Sequence, residues 1–411
     1  MNPMNKVGFH YRSDSEHYSG KDLGKWLPRL KQLDASWIVL NAPVTRAIPE
    51  EFIATLKMEA IEPVLHFQIT PCDLPAVDEM LLLFENYRRW GVKYVILFDK
   101  ANLQESWGSE AWAQSDLTER FLDGFLPLAE AAVAVGLAPV FGPLEPGGDY
   151  WDTNFLRGAL DGIQRRASEP LQSRLILSAY ARINSKPLSW GSGGPQSWPE
   201  TQPYYTPENS QDQMGFRIAE WYLTLSETIL EKRLPILLLG VQGPAPEGED
   251  LNDYLINGAR LIARQEIEGI KPLPDEVIGG AFQTLTGIDE SSWFSPEGSP
   301  KPVVIAFTKE DENQPKAIAA GDFRIAHYLL LPSFEWGVAD WHLNVTRPFI
   351  KRHRPTVGFS LEEAYQAQEV TVLGGKEHFS ESDVTQLRNQ GCVVRRIEGD
   401  GTKIASLLAA I

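Results

Sequence analysis

Short β-branched apolar runs recur through the first three-quarters of the chain, separated by stretches with helical spacing. Val7 to His10, Trp37 to Asn41, Pro63 to Phe67, Tyr94 to Phe98, Leu137 to Phe141, Arg174 to Tyr180, Pro235 to Leu239 and Val277 to Leu285 read as eight strands. Between them Trp26 to Leu33, Pro49 to Met58, Met80 to Trp90, Phe121 to Val135, Thr153 to Arg166 and Met214 to Leu230 read as helices, and Asn184 to Gln213 as a long loop. Strands alternating with helices predict parallel strands joined by crossover helices. Eight such units fit a (β/α)8 TIM barrel, for which roughly 250 residues plus insertions is usual. A doubly wound open sheet is the alternative.

After a polar stretch from Glu310 to Pro315 the pattern resumes on a smaller scale. His327 to Pro332, Thr356 to Phe359, Val370 to Leu373 and Cys392 to Ile397 read as strands, with helices at Ala339 to His353, Leu361 to Gln368, Ser380 to Gln390 and Thr402 to Ala410. Ser380 with Asp383 is a helix-capping arrangement, and Gly391 suits a helix end. The expected division is a barrel over 1–309, a linker over 310–320 and a small three-layer α/β domain over 321–411.

Composition narrows the functions. The 411 residues carry a net charge of −17, which argues against nucleic acid as a partner. Arg347, Lys351, Arg352 and Arg354 form one basic cluster, read as a solvated helix end. No run approaches the ~20 apolar residues of a membrane span, so membrane insertion is not expected. The first residues lack a secretory h-region, which makes the cytoplasm the default location, with export to the cell surface or on an assembly left open. Cys72 and Cys392 are too few and too far apart for a zinc or disulfide framework, and the 7 histidines have no metal-ligand spacing. No metal or cofactor is expected.

In a parallel barrel, chemistry is placed where the strands end. There the sequence sets His10 with Tyr11, Arg12 and Asp14; Asn41; His66 and Gln68; Asp99, Lys100 and Asn102; Glu145 and Asp149; Tyr180 and Arg182; Gln242; and Gln283. Trp107, Trp112, Tyr150, Trp151, Trp190, Trp198, Tyr204, Tyr205 and Trp293 crowd the same rim. Aromatic faces beside hydrogen-bonding groups suit sugars; packing of the loops onto the barrel is the competing use, expected of about half of these rings.

The strand-four corner Asp99-Lys100-Ala101-Asn102-Leu103, the strand-seven end Val241-Gln242-Gly243, and Trp293 with Gly298-Ser299-Pro300-Lys301-Pro302 resemble the clan of retaining β-glycosidases that includes β-xylosidases and cellulases. In that clan strand four ends in Asn-Glu-Pro-Asn-Leu, the Glu being the acid/base, and strand seven in Glu-x-Gly, the Glu being the nucleophile. The resemblance therefore puts Lys100 at the acid/base position and Val241, or Gly240 with a one-residue slip, at the nucleophile position. Retention needs two carboxyl groups about 5–5.5 Å apart, so double displacement is expected to be lost.

Three readings follow. The first is a catalytically degenerate barrel that binds a carbohydrate or cell-wall glycan, or serves a protein assembly partner. The second is an active glycoside hydrolase using Asp99, Glu145 and Asp149, by an inverting route. The third is a Schiff-base role for Lys100. His10, Asn41, His66, Asn102, Trp107, Trp151, Tyr180, Gln242 and Trp293 are the expected binding residues. In the C-terminal unit, Glu369 to Gly375 and Val393 to Gly401 look like one copy of a cell-wall-binding repeat; a docking role and phosphate binding at Gly374-Gly375 are the alternatives.

Overall fold

The computed structural model describes residues 7–265, 267–283, 285–287, 291–313, 323, 325–332 and 340–409. The chain divides into two compact units, one ending at Phe307 and one beginning at Thr308.

The first unit contains eight parallel strands: β1 Val7–His10, β2 Trp37–Asn41, β3 Glu62–Phe67, β4 Tyr94–Leu97, β5 Ala138–Phe141, β6 Leu177–Tyr180, β7 Ile236–Val241 and β8 Val277–Phe282. Their order is β5-β4-β3-β2-β1-β8-β7-β6. The ring closes through a parallel bridge between Val140 and Ile176, where Phe141 N–H donates to Ile176 O at 2.8 Å and Ile176 N–H to Pro139 O at 3.1 Å. The fold is a (β/α)8 barrel, and the open-sheet alternative is excluded by this closure.

Period-two alternation sorts the strand side chains into two cores. Trp37, Val39, Val64, Ile96, Val140, Ile176, Tyr180, Leu237, Leu239 and Ala281 fill the barrel interior. Their neighbours Ile38, Leu40, Leu65, Leu97, Leu177, Ala179, Ile236 and Leu238 face the surrounding helices. The same alternation carries Asn41, His66 and Tyr180 to the inner face of their strands at the carboxyl end. A polar ring at the barrel mouth thus follows directly from strand register.

The crossover helices include Gly20–Gln32, Glu50–Met58, Val77–Arg89, Leu117–Ala134, Asp152–Arg166 and Ile218–Leu230. Ser19 begins the first with a capping box: its Oγ accepts from Asp22 N–H at 3.3 Å, and its own N–H donates to Asp22 Oδ2 at 3.1 Å. The pattern does not predict the short helices Ser109–Trp112, Glu169–Arg174 and Gly194–Ser197, the last within the expected loop, nor two longer ones, Leu251–Ile262 and Pro302–Asn313. The second runs into the stretch expected to be a linker, so 310–313 are helical; 314–320 lie outside the described residues.

The second unit holds a parallel sheet of β9 Ile325–Leu330, β10 Thr356–Gly358, β11 Ala367–Leu373 and β12 Val393–Ile397, in the order β10-β9-β11-β12. Tyr328, Leu330, Val370 and Val372 pack on one face against Ala364, Phe379 and Leu387. Leu329, Leu373 and Ile397 pack on the other against Phe349, Ile404 and Leu408. With both faces covered by helices, this is a three-layer α/β unit. The expected Ser380 cap is present, Asp383 N–H donating to Ser380 Oγ at 3.2 Å, and Gly391 adopts φ +87° beyond that helix. The expected helix Leu361 to Gln368 is one turn, Leu361–Ala364, because Ala367 already pairs with Ile325 in the sheet.

Candidate functional site

β4 ends in a strained corner. Phe98 and Lys100 adopt φ +72° and +50°, a region that bulky L-residues avoid. The alternation would turn Phe98 into the barrel; instead its ring packs outward on Phe121 at 5.0 Å. Backbone bonds hold the corner, from Phe98 N–H to Phe67 O at 3.1 Å and from Lys100 N–H to Pro143 O at 2.9 Å. Asp99 is left to accept from the Tyr180 hydroxyl at 2.6 Å. Burial first, then the Asp99 carboxylate, raises the Tyr180 phenol well above its usual range, so it remains the donor.

Glu145, in the loop after β5, has both carboxylate oxygens engaged. Arg182 reaches Oε1 at 2.8 Å and Oε2 at 2.9 Å, and Lys100 Nζ lies 3.4 Å from Oε2. The guanidinium and the ammonium stand 5.1 and 5.9 Å from the centre of the Tyr180 ring. Asp149, an exposed residue, accepts from Gln104 N–H at 2.9 Å and so caps the neighbouring loop.

β7 carries a register shift between Leu238 and Val241. Gly240, at φ +59°, absorbs it and reverses the alternation, so Val241 joins the outer core and is 1% exposed. The Val241 side chain therefore points away from the mouth. Gly240 takes the inward place, and a Cβ there would stand 2.7 Å from Tyr180 Cδ1 and 2.9 Å from Gln283 Oε1. Tyr180 and Gln283 already occupy the space that a side chain at the end of β7 would need.

His10 and His66 complete the inner ring. Gly240 N–H donates to His10 Nε2 at 3.3 Å, and His66 Nε2 lies 3.1 Å from Phe98 O. Burial, with His66 close by, lowers the His10 imidazole from 6.5 to about 3. Burial also lowers His66, against the opposing pull of Asp99 and the Phe98 carbonyl. A cavity of about 180 Å³ opens beside them at the ends of β1, β2, β3 and β8, lined by His10, Arg12, Asp14, Asn41, His66, Gln68, Gln283 and Thr286 among others. It is smaller than the roughly 300–1,000 Å³ of drug-sized pockets and suits one small unit.

Of the nine expected binding residues, His10, Asn41 and His66 line this cavity, and Tyr180 belongs to the adjoining cluster. The main chain of Gln242 accepts from Ile183 N–H at 2.9 Å. The other four serve the scaffold. Asn102 is fully buried and ties two loops together: its Nδ2 donates to Glu145 O at 2.8 Å and Tyr150 O at 2.9 Å, and its Oδ1 accepts from Glu145 N–H at 2.8 Å. Trp107 is buried and donates to Ala101 O at 2.7 Å. Trp151 is buried under Tyr204, with ring centres 5.2 Å apart. Trp293 is 0% exposed and packs edge-on to Phe9, Phe282 and Phe307, so no sugar face can reach it. Loop packing claims most of the rim aromatics; Tyr204 and Tyr205 alone among them are more than half exposed.

One carboxylate escaped the sequence reading. Asp152, the fully buried first residue of its helix, accepts from Gly147 N–H at 2.9 Å, Gln213 Nε2 at 2.7 Å and the Tyr222 hydroxyl at 3.0 Å. Burial pushes it up to about 6 despite these donors. Its only sequence signal was a helix-starting Asp, which is usually an exposed cap. Among the described residues no group of three or more His, Cys, Asp or Glu is placed to hold a metal ion, and no helix is long and apolar enough to cross a membrane.

No family model matches the sequence, and no curated protein matches it. Solved structures do match. A GH128 (subgroup II) endo-β-1,3-glucanase from Sorangium cellulosum is 13% identical, with 74% of this chain and 97% of that chain covered and a TM-score of 0.44. The exo-β-1,4-mannosidase Op5Man5 from Opitutaceae bacterium strain TAV5 is 10% identical over 97% of this chain and 77% of that one, TM-score 0.44. A GH5_18 protein from Bifidobacterium longum subsp. longum, solved with Manβ1-4GlcNAc, is 10% identical over 95% of both chains, TM-score 0.44. The chain is similar to these glycoside hydrolases at the level of the fold.

Proposed function

We propose that this glycosidase-like barrel binds a carbohydrate at its mouth and has lost double-displacement hydrolysis. The observation that carries the reading is the β7 bulge. With Gly240 facing inward against Tyr180 and Gln283, strand seven has neither a carboxylate nor room for one. Across the mouth, Lys100 stands where the family acid/base would be, and both oxygens of Glu145 are held by cations. Neither Lys100 nor Val241, the two positions that the resemblance gives to a retaining pair, carries a carboxyl group. The cavity at β1, β2, β3 and β8, edged by amides and imidazoles, is the proposed carbohydrate site. The C-terminal unit, likened above to a cell-wall-binding repeat, is assigned by the same reading to a wall glycan or a protein partner.

Calorimetry with neutral oligosaccharides beside a hydrolase screen tests this. Saturable binding without turnover is the expected result. Turnover abolished by Asp99→Asn or Glu145→Gln would overturn it in favour of an active hydrolase using Asp99, Glu145 and Asp149. The observation favouring that second reading is Asp99 itself, half-buried at the mouth and bonded through its carboxylate to the Tyr180 hydroxyl. Failure of every sugar to bind would shift the assignment to protein assembly.

A further inference from the structure

The backbone sets His10 and His66 in opposite tautomers. An amide N–H can only donate, so the bond from Gly240 makes His10 Nε2 the acceptor and leaves the proton on Nδ1. A carbonyl can only accept, so the contact with Phe98 O makes His66 Nε2 the donor and leaves a lone pair on Nδ1. Among the described residues neither Nδ1 has a protein partner, and both rings line the cavity. The site therefore offers one imidazole donor and one imidazole acceptor side by side.

We propose that this imidazole pair recognises the hydroxyl groups of an uncharged sugar unit, one hydroxyl accepting from His10 Nδ1–H and the same or a neighbouring hydroxyl donating to His66 Nδ1. The inference rests on the carbohydrate reading above and names the chemistry of its site. A hydroxyl both donates and accepts, and so satisfies both rings. A carboxylate or phosphate oxygen would face the His66 lone pair, and an ammonium would face the His10 N–H. Asn41 extends the same logic: its Nδ2 is used on Ser13 O at 2.8 Å, which leaves Oδ1 as an acceptor. Gln68 and Gln283 add amides that work in either direction. Burial lowers both imidazoles and so favours their neutral forms, most strongly at His10; Asp99 acts against this at His66, and Arg12 and Asp14 stand on the cavity wall.

Two measurements test the pair. Long-range proton–nitrogen correlation spectra of the full chain with labelled histidine, assigned with His10→Gln and His66→Gln, should show an Nδ1–H tautomer for His10, unchanged from pH 5 to 8, and an Nε2–H tautomer for His66 at pH 7.5. A shared tautomer, or titration of His10 near 6.5, overturns the proposal. Calorimetry at pH 7.5 with the methyl glycosides of glucose, galactose, mannose and xylose should find at least one ligand whose binding falls about tenfold or more in each variant. Binding that both variants leave intact places the sugar elsewhere, overturning the pair while the carbohydrate reading stands. No binding by any glycoside or oligosaccharide overturns both.

Discussion

Arg182 grips Glu145 with two N–H groups, at 2.8 and 2.9 Å, in the planar fork geometry that matches guanidinium to carboxylate. The side chains are 30% and 21% exposed, so water screens the pair only in part. Arg182→Met should lower stability by about 1–3 kcal/mol, chiefly by leaving a half-buried carboxylate short of donors. Glu145→Gln combined with Arg182→Met should cost less than the sum of the single changes. Urea unfolding of the four proteins checks this as a double-mutant cycle.

Gly240 has no room for even one methyl group and sits at φ +59°. Gly240→Ala is expected to destabilise by about 1–3 kcal/mol through overpacking and backbone strain. Adding Tyr180→Phe does not relieve the ring contact, which is with Cδ1, whereas Tyr180→Ala removes it and leaves only the contact with Gln283 Oε1. Thermal unfolding of Gly240→Ala with and without Tyr180→Ala should therefore show coupling.

Asn102 belongs to the scaffold, and its removal should be felt in the loops. Asn102→Ala takes away three hydrogen bonds at a fully buried position, an expected loss of about 3 kcal/mol. Hydrogen exchange should speed up in the segment from Glu145 to Tyr150 more than in the strands.

Asp152 gives a pH dependence of known sign. Its carboxyl is raised from 3.8 to about 6, so the folded chain binds a proton there more readily than the unfolded chain. The stabilising contribution is fully present below pH ~4 and is lost as pH rises through about 6, a change on the order of 3 kcal/mol. Asp152→Asn should remove this slope. Comparing the difference in urea midpoint between the two proteins at pH 4.5 and pH 7.5 tests it; a constant difference would show that Asp152 does not titrate in this range.

All eight barrel strands were legible in the hydrophobic pattern, most within a few residues of their ends, because a strand buried on both faces must be apolar throughout and its flanking helices amphipathic. Polar residues at the strand ends were legible for the same reason: His10, Asn41, His66, Asp99 and Tyr180 stand where the apolar runs stop. Burial of the rim tryptophans was not, since Trp293 in the outer core and a tryptophan on an open rim have the same local sequence.

What the sequence determined by itself was the order of elements, the barrel class and the polar residues at the strand ends, all properties of residue type and spacing. Tertiary structure alone decided which groups meet. A one-residue bulge at Gly240 turned Val241 outward, a left-handed corner at Phe98 aimed Asp99 at Tyr180, and strands far apart in the chain set a backbone donor against His10 and a backbone acceptor against His66. Side-chain direction reverses with a single residue of register, and a tautomer depends on one partner atom, so neither is written in the local pattern.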